Sequence, residues 1–412
     1  MTDAPLTIGM PTSTFLPALG GVEVGLHNIA ARLAARGHTP IVVTPAFNAR
    51  ALHRAGTNLP YKVVSLPPKT MTLIRYWPEP GTRFVARWLD RLDRRHNFDA
   101  WHGTVGFPIG VSLIRAAAGR RPHLVRCAGD DIQVVPEIGY GMRLDPRVDR
   151  LVREWLPRAD ILVAITRSVA DEYTRLGIPQ DRVRHIPNGV DIGRFEVAVD
   201  RGAVRRRLGL PEQDFLFLAV GRNHPKKGYA DLLRAVRLLG EHGRTDFAVA
   251  VAGSSTEQLA DAAARQGVSD RIHLLGALGA PSRGVDLDIP GDDLVELYRA
   301  ADGFVFPSHI ETFGIALVEA MAAGLPVITT DGPGCRDIAE GGTYADMVPV
   351  ADVGALADAM ARFLDHPGHV RDRIAQSRAR AKAFSWDRIV DEYIDVYRDG
   401  IARHASERRN TS

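Results

Sequence analysis

The sequence predicts an α/β protein built as two parallel-sheet units in tandem, and three observations carry that expectation. Short apolar runs alternate with helical patterns along almost all of the 412 residues. The rhythm breaks once, around 188–213, where NGVDIGRFEVAVDRG intervenes. A chain of this length, with 45% hydrophobic and 25% charged residues, is also long enough to bury two substantial cores.

The elements follow in order. In the first half, LTIGM (6–10), PIVVT (40–44), YKVVSL (61–66), FDAWHG (98–103), HLVRCA (123–128), ADILVAIT (159–166) and VRHIPN (183–188) read as strands with helices between them. The second half repeats the theme with DFLFLAVG (214–221), FAVAVAG (247–253), RIHLLGA (271–277), GFVFPS (303–308) and PVITTD (326–331). After the Pro-Ser turn that ends GFVFPS, Ile315 to Ala323 is apolar all round and stops at Gly324 and Pro326, so it reads as a buried helix.

That helix carries one acid, Glu319, and a second, Glu311, precedes it beside Thr312 and Gly314. A carboxylate in an apolar setting stays ionised only with donors around it. Glu311 stands where backbone N–H groups and the helix dipole favour anions. In open α/β sheets, ligands gather at the carboxyl ends of strands. Three segments occupy such places: GRNHPKKG (221–228) after FLFLAV, ETFG (311–314) after GFVFPS, and TSTFLPALGGVE (12–23) after LTIGM, opening a helix from Val22 to about Arg36.

Each suits a nucleoside diphosphate sugar. Arg222 and Lys227 supply two cations for a leaving diphosphate, and Gly20 and Gly21 let backbone N–H groups approach an anion. Glu319 finds donors in a ribose diol, and Glu311 meets hydroxyls of the transferred sugar. Taken one at a time, a Gly-Gly turn, a surface Arg and Lys or a single buried Glu has an ordinary structural explanation. Their joint placement after strands of two sheets is what points to a site.

Composition excludes other classes. Two cysteines, Cys127 and Cys335, form no disulfide framework, and no C-x-x-C or Cys/His cluster suggests a metal. The opening MTDAPLTIGM lacks a basic n-region and a long apolar core, and no later run approaches a membrane span, so a cytoplasmic protein is expected. Residues 1–195 hold 26 Lys and Arg against 17 Asp and Glu, whereas the rest holds 26 against 32. A basic first half leaves open a peripheral contact with the inner face of a membrane. Without an aromatic-interleaved basic stripe, no nucleic acid partner is expected.

ETFGIALVEAMAAGLPVI resembles the E-x7-E signature of retaining nucleotide-sugar glycosyltransferases with the GT-B fold, glycosyltransferase family 4. GRNHPKKG is similar to that family's Arg and Lys-Gly segment, GGVE to its glycine loop, IPNGVD (186–191) to its interdomain crossover and FSWDRIVDEYIDVY (384–397) to its last helix. The resemblance implies two Rossmann-like domains facing each other across a cleft. Residues 1–195, completed by a C-terminal helix 385–412, would form the acceptor-binding domain, and 196–384 the donor-binding domain.

Residue by residue, the resemblance implies Glu311, Arg222 and Lys227 as catalytic groups. It also implies Glu319 as the ribose ligand, Phe313 and Gly314 as backbone phosphate donors, and a base-contacting loop from Gly276 to Leu278. The implied reaction is glycosyl transfer with retention from an NDP-sugar, with UDP- or GDP-sugars foremost. The acceptor would be a hydroxyl on a saccharide, a polyol or a lipid-linked glycan, and neither cofactor nor metal is expected. The chain departs from the family at CAGDDI (127–132), where Ala128 replaces the expected His. His102, Asp130 and Asp131 are the candidates near an acceptor, with a structural hydrogen bond at a strand end the plainer role for His102.

Other readings stay open at this point. DLD (286–288) matches the Asp-x-Asp of metal-dependent transferases but lies in a Gly/Pro-rich loop. LPALGGVEVG does not supply the G-x-G-x-x-G of a dinucleotide oxidoreductase. A phosphorylase, an epimerase or a non-catalytic nucleotide-sugar sensor could use the same scaffold.

Overall fold

The computed structural model describes residues 4–278 and 289–410, so the DLD triplet at 286–288 lies outside the described residues. The described residues divide into two compact units, 4–188 with 386–410 and 189–278 with 289–385.

The first unit carries a seven-stranded, all-parallel sheet of β1 (Thr7–Pro11), β2 (Thr39–Thr44), β3 (Lys62–Ser65), β4 (Ala100–Thr104), β5 (His123–Arg126), β6 (Ile161–Ala164) and β7 (Val183–His185). Its order is β3-β2-β1-β4-β5-β6-β7. The chain therefore reverses direction between β1 and β4, the switch point at which such sheets collect ligands. Ile8, Val42, Val43, Val125, Leu162 and Val163 are fully buried, because helices cover both faces of a parallel sheet.

The second unit carries β8 (Phe215–Val220), β9 (Phe247–Ala252), β10 (Ile272–Gly276), β11 (Gly303–Phe306), β12 (Val327–Thr330) and β13 (Asp346–Val348), all parallel, in the order β10-β9-β8-β11-β12-β13. Phe217, Val249, Val251, Val305 and Ile328 pack with Leu232, Val236, Met360 and Phe363 of the covering helices into one core. The switch point here falls between β8 and β11.

Two features differ from expectation. The edge strand β13 is absent from the sequence reading, since three residues headed by Asp346 offer neither an apolar run nor alternation. The division between units falls at 188/189 rather than 195/196. Segment 189–195 belongs to the second unit because Phe195 meets Tyr298 edge-on at 5.7 Å and Arg194 donates to the Pro290 carbonyl at 2.8 Å. The last helix, Trp386–Asn410, is part of the first unit. There Ile389, Val390, Tyr393 and Tyr397 are buried, and Arg36, which caps the C-terminus of the helix Gly21–Ala35, pairs with Asp391 at 2.9 Å. Among the described residues no helix is long and apolar enough to cross a membrane.

Candidate functional site

Because β8 and β11 are neighbours, the loops that follow them meet. Gly228 permits the closest approach. Its φ is +66°, and a Cβ there would stand 2.0 Å from the Pro307 carbonyl oxygen, a backbone atom that cannot yield. With the loops this close, Lys227 Nζ donates to the Glu311 carboxylate and lies 4.8 Å from the centre of the Phe306 ring. Ser308 Oγ donates to the same Glu311 oxygen at 3.3 Å. Glu311 is only 6% exposed. Burial alone would raise its carboxyl pKa, but the charges of Lys227 and Lys226 and the hydrogen bonds from Lys227 and Ser308 outweigh that and hold it below the usual range.

Glu319 meets the opposite environment. It lies in the helix Ile315–Ala322, which opens at Gly314 with φ +89°. Leu317, Val318, Ala320 and Met321 around it are buried, as expected of a helix apolar on nearly every side. Tyr298, from the helix Asp292–Ala300, donates its hydroxyl to Glu319 at 2.9 Å. Burial pushes the Glu319 carboxyl up to about 7, and the Tyr298 hydrogen bond offsets only part of that rise. The pKa values of two acids eight residues apart thus move in opposite directions, a pattern that marks functional sites more often than chance.

The other second-unit candidates surround this pair. Phe313 is buried and packs edge-on against Phe384 at 5.6 Å, which fixes the backbone ahead of Gly314. Arg222 is exposed just beyond the end of β8, on the same loop as Lys227. Leu278 follows β10 and is half-buried, with the turn before it pinned by the Gly276 N–H donating to Thr256 Oγ1 at 3.1 Å. All of them lie at carboxyl ends of strands of one sheet. The sequence reading missed Tyr298, Ser308 and Lys226. Ser308 and Lys226 border residues already singled out, whereas Tyr298 is separated from Glu319 by 21 residues and left no local signal.

In the first unit, Gly20 caps the helix Gly21–Ala35 in an extended conformation and both glycines are exposed. A Cβ at Gly20 would stand 2.8 Å from the carboxylate of Glu23, which also accepts from Thr14 Oγ1 at 2.5 Å. The helix therefore already holds a carboxylate of its own beside the glycine loop.

Two acceptor candidates need correction. His102 does not end a strand; it sits in the middle of β4 with no exposed surface. Its Nδ1 lies 2.7 Å from the Tyr397 hydroxyl, and burial, with Arg126 nearby, pushes its pKa down to about 3. It is a neutral core residue beneath the last helix. Asp131 is likewise fully buried and accepts from the backbone N–H groups of Gly106 at 2.5 Å, Ala128 at 3.0 Å and Gly129 at 2.6 Å. It organises the loop after β5 rather than facing an acceptor. Asp130 is exposed and Ala128 half-buried.

Known proteins place the chain. A model described as Glycosyltransferase Family 4 matches residues 19–194, and one described as Glycosyl transferases group 1 matches 200–381. The chain belongs to this glycosyltransferase family. The D-inositol 3-phosphate glycosyltransferase of Acidothermus cellulolyticus is 33% identical over 267 residues, which are 61% of this chain and 57% of that protein. The protein of the same name from Salinispora tropica is 34% identical over 286 residues, 65% of this chain and 57% of its own length. The match thus spans little more than half the length of these relatives.

Solved glycosyltransferase structures share the fold. A glycosyltransferase from Rickettsia africae ESF-5 has a TM-score of 0.76 at 18% identity, covering 96% of this chain and 99% of that one. Anabaena Alr3699/HepE, solved with UDP and glucose, has a TM-score of 0.73 at 20% identity, covering 96% and 100%. The two parallel-sheet units are those of the GT-B fold. The group 1 match includes Arg222, Lys227, Glu311 and Glu319, and the family 4 match includes Gly20 and Gly21.

Proposed function

We propose that this family member is a retaining glycosyltransferase. It would move a sugar from an NDP-sugar, with UDP- or GDP-sugars foremost, to a hydroxyl of a glycan, a lipid-linked glycan or a small polyol. The observation that carries the reading is Glu319: a carboxylate buried in an apolar helix, with its pKa raised to about 7 and a tyrosine hydroxyl donating to it, eight residues beyond an acid engaged by a lysine. A ribose diol supplies further donors to such a group. UDP and glucose bound to Anabaena Alr3699/HepE, and relatives named for inositol 3-phosphate, support a nucleotide-sugar donor and a polyol or sugar acceptor.

In this reading the bond between the anomeric carbon and the diphosphate breaks as the acceptor oxygen bonds to that carbon from the same face. The departing phosphate oxygen takes the acceptor's proton. Positive charge develops on the ring and negative charge on the diphosphate, so Lys227 and Arg222 lower the barrier by stabilising the leaving group without a metal. Glu311 orients Lys227 and meets sugar hydroxyls. The donor falls to the second unit and the acceptor to the first.

The test is a thermal-shift panel of UDP, GDP and ADP, followed by donor turnover with and without acceptor and EDTA. One nucleotide should raise the melting temperature, and turnover should persist in EDTA. No shift with any of them would overturn the donor reading. Ala128, in place of the family's His, favours a second reading as a nucleotide-sugar sensor. Nucleotide binding without release of free NDP in the presence of acceptor would select it.

A further inference from the structure

We propose that the exposed face of the helix Pro78–His96, with the aromatic pair that precedes it, is a docking surface for an anionic lipid bilayer. The helix buries Val85, Ala86, Leu89 and Leu92 against the first unit. On the other side Arg83, Arg87, Arg91 and Arg95 recur every fourth residue and all are exposed. At about 100° per residue they fall, with Phe84, within an arc of about 120°. The helix's acids lie off that arc and are engaged: Glu79 by Arg83 and Arg115, Asp90 by Arg94 and Arg120, Asp93 by Arg121. Arg87, Arg91 and Arg95 thus project cationic charge from a helix whose carboxylates are already neutralised.

The apolar component lies at the same helix. Tyr76 and Trp77, immediately before it, are 59% and 61% exposed, and Phe84 is 40% exposed. Arg147, exposed and paired with Asp145 at 2.7 Å, donates to the Tyr76 carbonyl at 3.3 Å and so fixes the backbone at the pair. Large aromatics left in water among arginines are costly in a freely soluble surface, yet they match a headgroup layer, which takes a ring with a polar edge and attracts basic side chains. Charge complementarity therefore selects an anionic bilayer. The face requires nothing of the donor site and does not depend on the activity proposed above.

The experiment is cosedimentation of the full chain with vesicles of phosphatidylcholine alone or with about 30% phosphatidylserine. Binding should appear only with the anionic vesicles and weaken as salt rises. Arg87→Gln with Arg91→Gln and Arg95→Gln should reduce it on the order of a hundredfold, whereas the three Arg→Lys changes should retain it. Trp77→Ser with Phe84→Ser should weaken binding at an unchanged melting temperature. Equal binding to neutral vesicles, no binding to either, or no loss in both the glutamine triple and the aromatic pair would overturn the proposal. So would retention on double-stranded DNA that disappears in the glutamine triple while vesicle binding does not.

Discussion

After β5 of the first unit, Asp131 is fully buried with its carboxylate filled by three backbone N–H groups, two from its own turn and one from Gly106 after β4; in the helix after β11 of the second unit, Glu319 is also buried and is met by a hydroxyl from another helix. Burial raises both pKa values. The difference lies in who supplies the donors. Backbone amides of two neighbouring loops fill the Asp131 carboxylate and make it structural. An apolar helix has no amides to spare, so its acid is matched by a partner from elsewhere, which can include a ligand.

The sharpest way to break this comparison is Lys227→Ala. If Lys227 acts on charge that develops in the reaction, turnover should fall about a thousandfold while donor affinity changes far less. Steady-state kinetics with a separate nucleotide-binding isotherm measures both, and equal losses would reduce Lys227 to a ground-state contact. Asp131→Ala comes next. It strands the buried Gly106 N–H and the part-buried N–H groups of Ala128 and Gly129 and should cost about 3 kcal/mol of stability in denaturant unfolding, with nucleotide affinity unchanged. A loss of nucleotide affinity at constant stability would make Asp131 a ligand group and dissolve the contrast.

Glu319→Ala should weaken nucleotide binding by roughly 10- to 100-fold, read by calorimetry, since the ribose hydroxyls lose their acceptor. The smallest effect is the pH dependence. The Glu319 pKa rises from 4.5 to about 7 on folding, so the fold favours its protonated form. The empty protein's stability from this group is full below pH 4.5 and declines as pH rises from 4.5 to about 7. A diol that donates to the carboxylate prefers the ionised form. Nucleotide affinity should therefore climb by up to about tenfold per pH unit toward 7 and level off above it. Glu319→Gln should flatten that slope, and a slope that survives the substitution belongs to another group.

Much of the architecture was legible because parallel strands buried on both faces read as apolar runs, as with FLFLAV and FAVAVA. β13 was not, because its pairing to β12 is a tertiary choice and its three residues carry no pattern. At the site, the sequence named Lys227 and Glu311 for different ends of one donor. The pairing of the two with each other depends on how closely Gly228 lets the loops approach, a distance no motif encodes. Tyr298 lies on a different helix from Glu319, beyond the reach of local reading. His102 and Asp131 looked functional by residue type and place near strand ends. The last helix covers His102, and backbone amides of two loops enclose Asp131.

That the first unit is assembled from two segments with the second unit between them in sequence bears on how it is made. All of the second unit is synthesised before Tyr393 and Tyr397, the side chains that cover His102. The amino-terminal sheet stays partly uncovered until that last segment is made, whereas the second unit draws on no later segment. A released chain ended after Ser385 should therefore show a protease-sensitive first unit joined to a resistant second one, with limited proteolysis as the readout.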